Sequence, residues 1–506
     1  MNNIVSRFIT AAENYPETIA IIDGKNKISY SQLLKEVKQC AFQLQLKGVK
    51  KGESMIIFIP MGIDLYRIVL ACFYIGAVAV FVDEWVSIKR LELCCKIANC
   101  KGFSGTWKAR LIRIISKEIR SIPVNFQFKH GTEELSYPEN VNPEDKALIT
   151  FTTGSTGTPK AANRTHSFLE AQLDILIDEL NPQPNEISMP LLPIVLLINL
   201  SSGTTSVIAP FKASKPKKLN PSIILNLINK YNVTTFISSP FVLYELSKTI
   251  LNNNLKKNHL PKNIFTGGAP VFPNEAHLIN SAFKNCIIKV FYGSTESEPI
   301  SSINTIQLEE TTKLQIEKGL PVGQIHSKTQ TKIIHLNNSL HSYNTENEFN
   351  SECLITNTIG EIIVTGPHVL KEYINNPEAI KTNKINVTGV IWHRTGDSGY
   401  IDDTNNLYLM GRVQQIIQLE NKTLYPFIEE YKLKQIEGIN IGTILFLNMK
   451  LIIVIETKET CNKEYLKNIL EEKYSFTQPI IHFHKIPRDP RHFSKIDYGK
   501  LENDFK

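Results

Sequence analysis

A run of small and hydroxylated residues follows an apolar stretch at LITFTTGSTGTPKAANRTH (148–166). Thr152, Thr153, Gly154, Ser155, Thr156, Gly157, Thr158 and Lys160 could turn backbone N–H groups, hydroxyls and an ammonium toward one anion. That is phosphate-cradling chemistry. No GK[ST] closes the run, so it is not the Walker pattern. A Gly/Ser/Thr-rich surface turn is the plain alternative, and the density of donors with a terminal Pro-Lys argues against it. Three further clusters follow in order. FTGGAP (265–270) sets Gly267, Gly268 and Ala269 at a strand end, where a flat ring could approach closely. FYGSTESEP (291–299) supplies Tyr292, Gly293, Ser294, Thr295 and Glu296: an aromatic, hydroxyls and a carboxylate. WHRTGDSGYID (392–402) presents Asp397 in what reads as a tight turn, and Arg412 follows Gly411 as a fixed cation. Near the end, Lys495 in SKID and Lys500 in YGK compete as a further cation.

These residues need a scaffold. MIIFIP (55–60), AVAVFV (77–82), SVIA (206–209), TTFIS (234–238), NIFTG (263–267) and CIIKVFYG (286–293) read as strands separated by helical patterns, the first of them at 64–74. Alternation of this kind predicts an α/β architecture with largely parallel sheets. Positions 324–352, rich in Ser, Thr, Asn and His, read as exposed and variable around a strand at 331–335; GEIIVTGP (360–367) is another strand. After Arg412 the pattern restarts with TILFLN, LIIVIET, a helix at 463–472 and PIIHFHKI. The expected division is a large domain at 1–412 and a compact α+β unit of 506 − 412 = 94 residues at 413–506.

The ordered motif set resembles the adenylate-forming superfamily of acyl-CoA synthetases, peptide-synthetase adenylation domains and luciferases, from ISYSQL (28–33) through SKIDYGKL (494–501). The resemblance implies the fold of that superfamily, with a mobile C-terminal domain turning about a hinge at Gln414. It implies that the Thr152–Lys160 loop holds the β- and γ-phosphates of ATP. Gly267, Gly268, Ala269, Tyr292, Gly293 and Ser294 would line the adenine and ribose site, Thr295 would reach the α-phosphate, and Glu296 would help hold Mg²⁺. Asp397 would bind the ribose hydroxyls, and Arg412 the ribose or phosphate. The family's closing motif favours Lys495, which precedes Ile-Asp and has Leu501 six positions on, as the catalytic lysine. Such a set suits attack of a carboxylate on an α-phosphorus, where each lost charge-stabilising contact costs about 3 kcal/mol or ~10²-fold in rate.

The segment MPLLPIVLLINLSSGTTSVIAP (189–210) carries no charge. A buried substrate ammonium would need a carboxylate, so a lipophilic acid, fatty or β-hydroxy fatty, is expected rather than an amino acid. The expected reaction is ATP-dependent formation of acyl-AMP with release of pyrophosphate, then transfer to CoA or another thiol acceptor, including a carrier protein in trans. Gln414 stands where CoA ligases of the family carry an acidic or lysine hinge, the Lys-Arg-Gly-like turn after it is missing, and Ala161 replaces the usual glycine after Lys160. Lys384-Ile385 upstream of WHRTGD, TLYPFIEE (423–430) and PRDPRHFSKID (487–497) are similar to β-lactone synthetases of olefin biosynthesis, in which an adenylated β-hydroxy acid closes on its own hydroxyl. That ring closure and a catalytically silent nucleotide- or lipid-binding relative are the alternatives.

Composition bounds the rest. The chain has 506 residues, and 56 Lys and Arg against 49 Asp and Glu give +7, with no long basic run, so nucleic acid is not expected as a partner. Eight cysteines lack CxxC spacing and read as buried thiols of a cytoplasmic protein. His482 and His484 share a strand face without further ligands in view, so packing outweighs metal binding. The apolar stretch 187–211 is broken by Pro190, Pro193, Gly203 and Pro210; it reads as an irregular pocket wall rather than a membrane span, and no signal peptide opens the sequence.

Overall fold

The computed structural model describes residues 2–82, 86–153, 159–212, 215–252, 259–336, 339, 341–458, 461–488 and 495–505. Two large sheets and their helices make up the first four fifths of the chain. One has six strands, in the order Val124–Phe126, Cys100–Gly105, Ser54–Phe58, Val78–Phe81, Lys146–Thr153 and Pro159–Thr165, all parallel except the last. The other is built on a parallel run of Ile19–Asp23, Thr205–Ile208, Ile187–Pro190, Thr235–Ser238, Asn263–Gly267 and Ile287–Ser294. From Ile287–Ser294 onward it continues antiparallel through Ser297–Asn304, Leu320–Ile325, Asn406–Arg412, Val390–Ile401, Gly360–Thr365 and Gln330–Ile334. The predicted parallel architecture thus holds for the early strands and gives way to meanders where the site residues cluster.

Helix Ile63–Tyr74 shows why the sequence folds this way. Every residue from Leu65 to Tyr74 is buried, apolar save for Arg67 and the tyrosines. Arg67 is tolerated because it meets the buried Glu36 at 2.6 Å, pairing two charges that would otherwise be costly inside. The stretch 187–211 is more regular than expected. Pro193 opens helix Pro193–Ser202, Gly203 ends it with φ +74°, and strands lie on either side. Proline at a first helical turn and glycine past the last are the positions where each residue favours a helix end. The region 324–352 is likewise less exposed than expected, since Ile333, Ile334, Tyr343 and Phe349 are buried.

After Arg412 come the hairpin Ile417–Leu419 and Lys422–Leu424, helix Pro426–Lys434, a sheet of Ile439–Leu447, Lys450–Thr457 and Ile480–Phe483, and helices Lys463–Lys473 and Tyr498–Asn503. Helix Pro426–Lys434 packs on the larger part of the molecule. Phe272 stacks on Tyr431 at 5.0 Å and lies 5.3 Å from Phe427, and Lys434 meets Glu275 at 2.7 Å. No helix among the described residues is long and apolar enough to cross a membrane.

Candidate functional site

Strands Lys146–Thr153 and Pro159–Thr165 pair antiparallel, with Thr152 opposite Lys160 and Thr153 opposite Pro159. Their connection, Gly154, Ser155, Thr156, Gly157 and Thr158, lies outside the described residues, as do the side chains of Thr152 and Thr153. Lys160 is half-buried, its Nζ 5.7 Å from the Tyr373 ring, and burial lowers its pKa against the opposing pull of Glu296.

Thr295 and Glu296 form the two-residue turn of a hairpin in which Ser294 pairs with Ser297. Gly293 is required there, because a Cβ would sit 2.6 Å from the Ser297 carbonyl. The turn is fixed from outside. Leu370 N–H donates to Glu296 O at 2.7 Å, and buried Arg164 donates to Thr295 O at 3.0 Å and to Gln172 Oε1 at 3.1 Å.

Behind Glu296 lies a group whose members fall in separate motifs, or in none, and that the sequence did not announce as a unit. Buried Tyr373 donates its hydroxyl to Glu296 Oε1 at 2.9 Å. Lys384, only 3% exposed, donates to the Leu370 carbonyl and sits 5.5 Å from the Tyr373 ring. Burial brings the Lys384 pKa down to about 7, with Glu296 opposing the fall and Lys160 adding to it. His393, also buried, is pushed down to about 3 by burial and is neutral at physiological pH. Burial pushes Glu296 up, but His393, Lys384 and the Tyr373 hydroxyl outweigh it and hold the carboxyl below its ordinary value. With His393 neutral, Lys384 and Tyr373 carry that effect near pH 7.

Asp397 is not in a tight turn. It lies within the long strand Val390–Ile401, next to a register shift and after Gly396 at φ +71°, directly opposite Arg412. The bulge lets two side chains converge on one carboxylate while Thr395 fixes the Asp397 backbone. Tyr292 donates to Oδ2 at 2.8 Å, Arg412 Nε lies 3.2 Å from Oδ1, and Asp397 N–H donates to Thr395 Oγ1 at 3.0 Å. Arg412 also donates to the Thr395 carbonyl at 3.1 Å, and Asp397 raises its pKa further above neutrality. The field of Glu296 reaches Arg412 as well, so the two acidic centres face one region. Gly267 ends its strand against Phe291, whose carbonyl would be 3.0 Å from an added Cβ; Gly268 has φ +85° and Ala269 is buried. Gln414 is exposed in the short helical turn Val413–Gln415, and Lys495 is half-buried beside the bridge between Arg488 and Ile496.

The donor set can be tested against Mg²⁺. Among the described residues no group of three or more His, Cys, Asp or Glu is gathered for a metal. Glu296 offers a single carboxylate with Oε1 engaged by Tyr373. Sparse oxygen ligation of this kind suits Mg²⁺, which takes one or two carboxylates and fills its shell with phosphates and water. His482 and His484 instead lie 4.9 and 5.6 Å from the Phe505 ring.

A narrow apolar crevice of about 40 Å³ lies between helices Val5–Asn14, Ile63–Tyr74, His166–Leu180 and Pro193–Ser202. Phe73, Leu173, Leu176, Ile194 and Ile198 contribute walls. The apolar cluster around it runs through Leu173 and Ile198 to Phe265 and Phe291, two strand positions before Gly267 and one before Tyr292.

Residues 8–374 match the model of the AMP-binding enzyme family. Olefin beta-lactone synthetase of Stenotrophomonas maltophilia is 26% identical over 460 residues, covering 84% of this chain and 81% of that protein. The 4-coumarate–CoA ligase of Pinus taeda is 23% identical over 432 residues, covering 80% and 76%. Among solved structures, the amide bond synthetase McbA of Marinactinospora thermotolerans superposes with a TM-score of 0.81 at 18% identity, over 99% of this chain and all of that one. O-succinylbenzoate coenzyme A synthetase of Bacillus subtilis, solved with ATP and magnesium ion, gives 0.79 at 20% identity over 96% and 97%. With the adenylate-forming fold in place and the family model spanning most of its length, the chain belongs to the AMP-binding enzyme family.

Proposed function

We propose that this protein joins a lipophilic carboxylic acid to AMP. The observation that carries the reading is the convergence of Tyr292 and Arg412 on Asp397 in a region that also feels the charge of Glu296. In this reading the ribose hydroxyls of ATP bind Asp397, the adenine lies along Gly267–Ala269 and Tyr292, and the 152–160 loop receives the outer phosphates. Mg²⁺ held by Glu296 would offset charge on the departing pyrophosphate. The acid's carboxylate oxygen attacks the α-phosphorus, the bond to pyrophosphate breaks, and acyl-AMP remains. Arg412 and Lys495 serve as the cations that let two anions meet. The 413–506 unit acts as a lid turning about Gln414, and eight thiols without a disulfide suit a reducing cytoplasm.

The uncharged wall of 189–210 and the apolar side chains packed around it favour an aliphatic or aryl-aliphatic tail. CoA or another thiol is the acceptor in the first reading of the second step. The similarity to olefin beta-lactone synthetase and the uncharged hinge at Gln414 support a second, in which a β-hydroxyl of the same acyl group displaces AMP. A tethered nucleophile needs no tunnel for a second substrate. The test is incubation with ATP, Mg²⁺ and 3-hydroxy or unsubstituted fatty acids, with and without CoA, read by pyrophosphate release and mass spectrometry. A thioester, a lactone or a free adenylate distinguishes the second steps. ATP binding without pyrophosphate from any acid of the panel would favour the silent relative.

A further inference from the structure

The positive charge of this molecule is concentrated. Between positions 88 and 120 the chain carries nine Lys and Arg against Glu92 and Glu118, and 9 − 2 = +7 equals the excess of the whole chain. No contiguous basic run reveals this, because eight of the cations are spaced along helices Ile88–Ile97, Trp107–Ile115 and Lys117–Arg120, and Lys101 lies on the strand Cys100–Gly105 between the first two. None of the nine forms an ion pair among the described residues.

The middle helix also turns an oily face outward. Trp107, Leu111, Ile114 and Ile115 are 64%, 50%, 67% and 70% exposed, and only Ala109 of this helix is buried. Spacings of four and of three to four place them on one side. Lys108 lies 5.3 Å from the Trp107 ring, and Lys117 is exposed just past the helix end. Arg113 packs inward over the Phe103 ring at 5.8 Å and donates to the Ile122 carbonyl at 2.9 Å, while exposed Arg120 donates to the Arg113 carbonyl at 3.0 Å. These bonds to carbonyls leave the guanidinium charge uncompensated.

We propose that helix Trp107–Ile115 seats the protein on an anionic lipid surface, with Trp107, Leu111 and Ile115 at headgroup depth and the surrounding Lys and Arg against acidic headgroups. Nucleic acid would satisfy the cations but leave Trp107, Leu111 and Ile115 facing water or phosphate. A bilayer interface takes both the apolar face and the charge. The inference stands apart from the identity of the acid that is activated.

The experiment is co-sedimentation of the full chain with vesicles of phosphatidylcholine alone and with about one third phosphatidylglycerol, at low and high salt. Pelleting is expected with the anionic vesicles only, and salt should weaken it. The Trp107→Ser/Leu111→Ser/Ile115→Ser variant should bind at least about tenfold more weakly, and so should Lys108→Glu/Lys117→Glu. All five residues lie outside the proposed adenylation machinery, so pyrophosphate release with a short water-soluble acid should not change. That control separates failure of docking from failure of the enzyme reading. Absence of pelleting at low salt would overturn the proposal, as would a triple serine variant that pellets like wild type. Tight binding of duplex DNA that the serine variant retains would reassign the patch to polyanions.

Discussion

Lys384 gives the most demanding test of the site. It is a buried ammonium behind the carboxylate proposed to hold Mg²⁺, linked to it through Tyr373. Its pKa of about 7, lowered mainly by burial, means that its charge is present in mildly acidic solution and lost in mildly alkaline solution. Lys384 is among the groups that hold the Glu296 carboxyl below its ordinary value against the upward push of burial. Removing its charge should therefore raise the Glu296 pKa, since burial is then opposed by less. We expect Lys384→Gln, whose amide can still donate to the Leu370 carbonyl, to lose a few-fold in kcat/KM near pH 6, because part of Glu296 is then protonated, and to lose more as pH falls further. Above about pH 8.5 wild-type Lys384 is itself neutral, and the variant should approach wild-type activity. The assay is pyrophosphate release across pH at two Mg²⁺ concentrations, and excess Mg²⁺ should recover part of the acid-side loss. A variant-to-wild-type ratio that does not change with pH would refute the reasoning, since a purely structural defect has no cause to vanish where the lysine deprotonates.

Three further outcomes are expected. Asp397→Ala removes the carboxylate that Tyr292 and Arg412 share and should raise the ATP KM by roughly 10- to 100-fold, from loss of charge-assisted hydrogen bonds; unchanged nucleotide affinity by calorimetry would contradict the ribose assignment. Lys495→Ala should suppress pyrophosphate release by ~10²-fold or more while leaving ATP binding near wild type, and a normal adenylation rate would transfer the role to another cation. Glu430 accepts hydrogen bonds from Tyr498 and, at 3.2 Å, from Thr443, and burial raises its pKa to about 7. Its folded-state pKa lies above the unfolded one, so the native state keeps a proton that the unfolded chain releases, and stability falls as pH rises from about 4.5 to about 7. Glu430→Gln should flatten that dependence in thermal melts, and parallel curves would show that Glu430 does not titrate in that window.

What the sequence made legible was local. The 148–166 motif, FTGGAP and FYGSTESEP each announce themselves because glycine, hydroxyls and a carboxylate crowd a strand end within a few residues. The strand cores followed for the same reason: NIFTG is the strand Asn263–Gly267, while MIIFIP runs two residues past the strand Ser54–Phe58 and AVAVFV one residue past each end of Val78–Phe81. Tyr373, Lys384, His393 and Arg164 were not legible as a group. They reach the Thr295–Glu296 turn from positions tens of residues away, and a buried lysine is what composition least predicts. The TGD tripeptide misled because a glycine at positive φ marks a bulge inside a strand as readily as a turn between strands.

The same distinction accounts for the charge. A patch on a folded surface is a sum over elements, whereas a run is a property of one. Lys108, Arg110, Arg113 and Lys117 are separated by apolar residues because the helix they flank must alternate one face with another. That alternation hides the patch from a search for basic runs, and it is also the pattern that an interfacial helix requires. If the activated acid is as lipophilic as the uncharged 189–210 wall suggests, it partitions into membranes. An enzyme held at the lipid surface would then meet its substrate in two dimensions rather than wait for the small dissolved fraction. The consequence is measurable: anionic vesicles should stimulate turnover of a long-chain acid in wild type and not in the Trp107→Ser/Leu111→Ser/Ile115→Ser variant, with no stimulation of either on a short acid. Equal stimulation of both proteins would mean that the vesicles act only by dissolving substrate.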